Sequence, residues 1–362
     1  MNIGGAGRHL CYLISASDRT KFDYTVILPE GSAAAPMIGE AGAKIEFVGG
    51  LDRSFRPSLT GKLARVLRRL KPDIVHTHSS VTGRIAARRA GVKTVVMTKH
   101  SSDLPVRALR TFPLKTLARL HFALTLDAAI ATDDSAALAM IKGGVPEKKI
   151  TVIYNGVNPL KRATDEETDR LRADIGIPPQ GKVVGFFGRL EKEKGADDFL
   201  RTAALCAAQT PSVFFIVVGD GSLRSSLEIL AGRFGLSGRV FFCGFREDIA
   251  PYMSLCSIVV NSSTGVETSN QVLSEGMSLG LIPVVTDTGG SRRMAEGCGV
   301  TVPAGDPPAM ADAILTLLRS PSQMKYSSAA AAEKYAEKYT AGRMAAQTEE
   351  LYRTLLRRKV NR

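Results

Sequence analysis

Short apolar runs alternate along this chain with stretches of helical period, and the alternation starts twice. Residues 24–28 (YTVIL), 44–48 (KIEFV), 73–76 (DIVH), 93–98 (KTVVMT) and 128–131 read as strands. Between them, residues 59–70 place Leu63, Val66, Leu67 and Leu70 on one helical face and Lys62, Arg65, Arg68 and Arg69 on the other, and residues 82–90 form a second basic helix. Strand, helix, strand in this rhythm predicts a parallel sheet with helices on both faces, where ligands bind beyond the carboxyl ends of the strands. After a strand at residues 149–154 the chain passes a polar stretch, residues 161–172, dense in acids and bases, and the alternation begins again at residues 183–187. That shift divides the chain into a domain of residues 1–158, a second of residues 159–340, and a terminal helix, residues 341–362, expected to pack back toward the first.

The opening residues, MNIGGAGRHL, fit this frame in part. Gly4-Gly5 followed by Leu10, Leu13 and Ile14 reads as the turn and helix that come after the first strand of an α/β domain, so that first strand is expected to be missing. The glycines allow a phosphate or an acceptor to approach the backbone. As a dinucleotide fingerprint the stretch fails, because no strand precedes it and no third glycine falls at the required spacing, which removes the dehydrogenase reading.

Residues 259–290, VVNSSTGVETSNQVLSEGMSLGLIPVVTDTGG, carry the most chemistry. They read as a buried strand, a polar loop, a helix from about residue 270 to 279, a second buried strand and a Gly-Gly turn. Glu267 falls in the loop and Glu275 inside the helix, eight residues apart. A helix N-terminus presents unpaired N–H groups and the positive end of a dipole, which suits a phosphate, and Ser269 and Asn270 stand there as caps. A carboxylate in the same turn suits vicinal hydroxyls, which it can accept in pairs. Phosphate together with diol points to a sugar nucleotide. Upstream, residues 183–187 end at Gly188-Arg189, and Lys194 follows on the same glycine-flanked turn, where two cations can close on a diphosphate while Gly188 keeps side chains out of the way.

In the first domain His76, His78 and His100 fall at strand ends. No third ligand is in view beside the H-T-H pair, so these two are read as loop-positioning polar residues and not as a metal site. His100, followed by Ser101, Ser102 and Asp103, is the functional candidate of the three.

Taken together, these residues resemble the retaining glycosyltransferases of family 4. The resemblance runs over nearly the whole chain through NIGGAGRHL, PDIVHTHSS, TKH, IYNGVN, GRLEKEKG, VVGDGSLRSSLE, VFFCGF and, most specifically, ETSNQVLSE with GMSLGLIPVVTDTGG behind it. It implies the α/β GT-B fold, two Rossmann-like doubly wound domains facing each other across a cleft. It also implies roles: Arg189 and Lys194 on the donor diphosphate, Glu275 on the ribose hydroxyls, Glu267 on the hydroxyls of the donor sugar, His100 on that sugar from the opposite domain, and Gly4 and Gly5 near the diphosphate. The donor would be a UDP- or GDP-linked sugar, with no metal and no other cofactor, since no D-x-D occurs and Arg189, Lys194 and helix N–H groups can balance the leaving charge. Three positions depart from the family pattern: the first strand, Gly7 where a glutamate is usual, and Thr268-Ser269-Asn270 in place of a glycine-rich wall.

Charge bears on the acceptor. Residues 1–120 hold 20 Lys and Arg against 8 Asp and Glu, an excess of 12 out of a net charge of +13 for the whole chain. One-sided charge of this kind calls for a polyanionic partner. Residues 104–126 interleave leucines and phenylalanines with Arg107, Arg110, Lys115 and Arg119, as a helix lying in an anionic membrane interface would. An aromatic fraction of 6% without tryptophan argues against nucleic acid, which needs stacking platforms. The expected acceptor is therefore lipid-linked or a lipopolysaccharide or other glycan, and the expected place the cytoplasm, at the inner face of the membrane. Five scattered cysteines without a C-x-x-C pair read as free thiols in a reducing compartment. Two other functions stay open on the residues alone: a sugar-nucleotide epimerase of the same fold, and a basic nucleic-acid or membrane-binding protein without catalysis.

Overall fold

The computed structural model describes residues 5–51, 54–101, 113–265 and 267–360, with residues 359 and 360 by backbone alone. The chain divides into two compact units, Met1–Val157 with Thr340–Arg362, and Asn158–Tyr339.

In the first unit α1 (Gly5–Ala16), β1 (Thr25–Leu28), α2 (Ala35–Glu40) and β2 (Lys44–Phe47) are followed by α3 (Thr60–Leu70), β3 (Ile74–His78), α4 (Val81–Arg89) and β4 (Thr94–Lys99). Then come α5 (Leu114–Thr125), β5 (Ala128–Ala131), α6 (Asp134–Lys142) and β6 (Ile150–Val152). All strand pairs are parallel, but they form two sheets, β1-β2 and β3-β4-β5-β6. The two sheets share their covering layers. Ile27 and Val75 join Leu63 and Leu67 of α3 and Ala86 and Ala87 of α4 in one apolar cluster. Their strand neighbours point the other way: Leu28 packs with Cys11 and Ile14 of α1, while Leu13 of α1 packs with Val96, Ala128 and Ile130. A doubly wound sheet runs 3-2-1-4-5-6. The four-stranded sheet keeps the chain order β3-β4-β5-β6.

The second unit runs α7 (Asp165–Ile175), β7 (Lys182–Phe187), α8 (Ala196–Gln209), β8 (Val213–Val218), α9 (Arg224–Arg233) and β9 (Val240–Gly244). It continues with α10 (Ala250–Ser254), β10 (Ile258–Asn261), α11 (Gln271–Ser278), β11 (Ile282–Thr286), α12 (Ser291–Ala295), β12 (Val300–Val302), α13 (Pro307–Arg319) and α14 (Pro321–Lys338). Its sheet is continuous and parallel, in the order β12-β11-β10-β7-β8-β9. β7 and β8 are apolar almost throughout because both faces are covered, which is what a parallel sheet between helical layers requires. Phe199, Phe215 and Leu200 sit in that core with almost no exposure. The order reverses between β7 and β10, so the switch point of this unit lies at the carboxyl ends of those two strands.

The last helix, α15 (Ala341–Val360), belongs to the first unit, where Met344, Ala345, Tyr352 and Leu355 pack with Leu13. The polar stretch at residues 161–172 is largely the start of α7, opened by a capping box in which Thr164 accepts from the Glu167 amide and Glu167 from the Thr164 amide. Local capping makes a helix of a sequence that has no apolar stripe to announce one.

Candidate functional site

In the second unit the side chains with chemistry gather at the switch point. β7 leads through Gly188 and Arg189 into a single turn at Lys192–Lys194, and Gly195 then starts α8 with φ +65°. A Cβ on Gly195 would stand 2.0 Å from the Ser262 carbonyl oxygen, so this turn lies directly on the loop after β10. That contact brings Lys194 Nζ to 2.6 Å from Glu267 Oε1. Ser263 Oγ lies 2.6 Å from the same carboxylate oxygen and 2.7 Å from the Glu193 carbonyl, which also accepts from the amides of Thr264 and Gly265 at 3.1 Å each. Glu267 is held from behind as well. Its carbonyl accepts from the Gly290 amide at 2.8 Å, and a Cβ on Gly289, where φ is +57°, would meet that oxygen at 1.8 Å. The Gly-Gly turn after β11 is thus required by close approach to the acid.

Arg189 is the looser of the two cations. It bonds Glu193 at 3.0 Å with more than half of its side chain exposed, an ion pair that contributes little and is easily given up. Gly188 donates its amide to the Val218 carbonyl at 3.0 Å and keeps the turn against the end of β8. Asn270 uses its side-chain oxygen to cap α11, accepting from the Val272 amide at 3.0 Å, and Ser269 beside it is buried. Glu275 lies inside α11 and is 2% exposed. Burial first, and the Glu275 charge second, push the Tyr335 phenol up to about 12.

The first unit holds a second cluster. His76 and His78 lie in β3, His100 follows the last residue of β4, and His9 comes from α1. His78 Nδ1 and His100 Nε2 are 2.6 Å apart with their rings stacked, and the His9 ring meets the His100 ring edge-on at 4.7 Å between centroids. His76 is engaged elsewhere, at 2.6 Å from the Tyr352 hydroxyl and 2.7 Å from Thr98 Oγ1. Burial opposes protonation throughout. It pulls His9 down to about 4 against the hydrogen bond to Asn155, pulls His76 to about 3, and holds His78 and His100 well below the usual histidine range. These are neutral imidazoles at pH 7.

The fold brings His78 together with two histidines that the H-T-H spacing does not reveal. Ring nitrogens of His9, His78 and His100 all lie within 4.8 Å of one another. Sequence reasoning also missed Ser263 and Asn155. Both act through contacts to residues on other elements, which local spacing does not show. Gly5 opens α1, while Gly4 lies outside the described residues, as do residues 102–112 of the segment read as a membrane helix.

Residues 3–160 match the profile of Glycosyltransferase Family 4, and residues 181–320 that of Glycosyl transferases group 1. The chain is 30% identical over 321 residues to an alpha-D-kanosaminyltransferase of Streptomyces kanamyceticus, a match covering 82% of each. The chain belongs to glycosyltransferase family 4. This glycosyltransferase is also 27% identical over 317 residues to LpsE, a lipopolysaccharide core biosynthesis glycosyltransferase of Rhizobium meliloti, with 86% of this chain and 84% of that one covered. Anabaena HepE, solved in complex with UDP, matches it with a TM-score of 0.83 at 24% identity over 97% of this chain and 96% of that one. The glycosyltransferase therefore has the GT-B fold, and transfer replaces the epimerase and binding-protein alternatives.

Proposed function

We propose that this glycosyltransferase moves a hexose from a UDP- or GDP-linked donor to a hydroxyl of a lipid-linked or lipopolysaccharide-type acceptor, with retention of anomeric configuration and without a metal. The observation that carries this reading is the Lys194–Glu267 pair at the switch point of the second sheet, 2.6 Å long and largely withdrawn from water. A diphosphate brings more negative charge than one carboxylate and draws Lys194 to itself, with Arg189 swinging from Glu193 to join it. Glu267 Oε1 is then released to accept hydroxyls of the donor sugar, while Ser263 still donates to it. Glu275 takes the ribose hydroxyls, and Ser269, Asn270 and the amides that open α11 stand on the phosphate side. His100 serves the sugar as a neutral hydrogen-bonding group.

The acceptor side of the proposal rests on the basic first unit and on α5. Leu114, Leu117, Leu120 and Leu124 of that helix are exposed, and Lys115 and Arg119 lie on the same element. Such a surface suits an anionic membrane at the cytoplasmic face, and LpsE acts in lipopolysaccharide core biosynthesis. No described helix is long and apolar enough to cross a membrane.

The test is thermal stability against a panel of UDP-, GDP- and ADP-sugars, with Glu275→Ala as control. A shift with one nucleotide class that is lost in the variant supports the donor reading, and no shift with any class refutes it. Turnover unaffected by EDTA and an axial anomeric product by NMR from an axial donor check the remaining two claims.

A further inference from the structure

The histidine cluster of the first unit contains more than a sugar contact needs. One neutral imidazole suffices to hydrogen-bond a hydroxyl, whereas His9, His78 and His100 arrive from α1, β3 and the end of β4 with their ring nitrogens within 4.8 Å of one another. Their outer contacts orient them for another purpose. Asn155 Oδ1, 2.9 Å from His9 Nδ1, can only accept, so the His9 proton sits on Nδ1 and the lone pair on Nε2. A ring nitrogen fixed through a hydrogen bond on the other side is the usual arrangement of a metal-bound histidine. His78 Nδ1 and His100 Nε2 face each other and share one proton between two nitrogens. His9 is buried, whereas His78 and His100 are half-buried.

We propose that His9, His78 and His100 bind one transition-metal ion of the zinc class. Three imidazoles with a water in the fourth position form a common tetrahedral set, and metal–nitrogen bonds of about 2.1 Å place the ligand nitrogens about 3.4 Å apart. The His78–His100 pair, 2.6 Å apart, opens by about 0.8 Å to reach this, and the widest separation, at most 4.8 Å, closes by up to about 1.4 Å through ring rotations. The proton between His78 and His100 moves to the far nitrogen of its own ring by exchange with solvent. All three ligands then bind as neutral imidazoles, and the number of bound protons is unchanged. Because the ion takes His100 Nε2, metal occupancy and sugar transfer exclude each other. This consequence, unlike the site itself, rests on the role proposed above for His100.

The experiment is titration of the purified protein with Co2+ alone, followed by its visible d–d absorption, with bound metal counted after gel filtration. One equivalent with a tetrahedral spectrum is expected, at least tenfold weaker in His78→Ala and in His9→Gln, and unchanged in His121→Ala, which lies outside the cluster. Paramagnetic NMR of the unaltered protein gives a reading free of folding effects, with three shifted imidazole N–H signals expected. No retained Co2+, fewer than three such signals, or full retention in a folded His78→Ala protein overturns the site. Zn2+ should lower turnover and EDTA restore it; unaltered turnover at full occupancy overturns the exclusion alone.

Discussion

Lowering the pH from 7.5 to 5 should destabilise the first unit by about 2 kcal/mol through His9 alone. His9 is 3% exposed, and burial outweighs its hydrogen bond to Asn155, so its pKa falls from 6.5 to about 4. For a base whose folded pKa is depressed, the contribution is fully present above 6.5 and is lost as the pH falls toward 4. At pH 5 the unfolded imidazole is protonated and the folded one is still neutral. The gap of about 1.5 pH units below the unfolded value, at about 1.4 kcal/mol per unit, gives the figure. His76, His78 and His100 are shifted in the same direction, so the total is larger. Carboxylates change little in this window, which isolates the histidines. For a unit of this size the His9 contribution amounts to roughly 4–8 °C in Tm. Differential scanning calorimetry across the window, with EDTA present and the two units followed as separate transitions, measures it. His9→Gln should flatten the slope. A Tm of the first unit that does not move between pH 7.5 and 5, or an equal slope in His9→Gln, would refute the assignment of neutral buried imidazoles.

Four further outcomes follow from the contacts described. Lys194→Ala should lower turnover by about 2–4 kcal/mol in the transition state, roughly 30- to 1000-fold, with the circular dichroism spectrum retained; near-full activity refutes the diphosphate role. Glu267→Gln should bind the nucleotide product about tenfold more tightly by calorimetry while kcat drops, because Lys194 loses its resting partner; unchanged affinity refutes the exchange. Gly289→Ala should cost the second unit at least about 2 kcal/mol in urea, since the new Cβ meets the Glu267 carbonyl in a left-handed backbone; a loss below about 0.5 kcal/mol contradicts the packing. Leu117→Ser with Leu120→Ser should weaken sedimentation with anionic vesicles by roughly tenfold or more and leave Tm unchanged, as both leucines are exposed. Equal sedimentation would remove α5 from the membrane contact.

What the sequence made legible follows the range of the interactions concerned. The strands of the second unit were readable because burial on both faces leaves continuous apolar runs, and the E-x7-E spacing survived because loop and helix are consecutive in the chain. The strand order was not readable. That β7 lies against β10, and so that Lys194 lies against Glu267, is decided by packing between segments some seventy residues apart. The histidine cluster was hidden for the same reason, since His9 is separated from His78 by two strands and two helices. The capped helix α7 has no apolar stripe to announce it, and its signal is the local capping box of Thr164 and Glu167.

On the proposed reading, the site in the second unit is a place where charge is exchanged and not added. Lys194 and Glu267 keep only 25% and 13% of their side-chain exposure, and an isolated charge so far withdrawn from water costs several kcal/mol. Each offsets that cost for the other in the resting enzyme. In the proposed reaction a donor enters with its own anion, and Lys194 moves to it without ever being left unpaired. The carboxylate loses its cation at the moment sugar hydroxyls become available to it, with Ser263 donating throughout. Neither partner has to be carried there by a flexible loop, because the backbones on both sides are fixed by glycine contacts too close for any side chain, Gly195 on Ser262 and Gly289 on Glu267. On the proposed reading, rigid placement with exchangeable pairing would let the same two residues be stable in the empty site and reactive in the filled one.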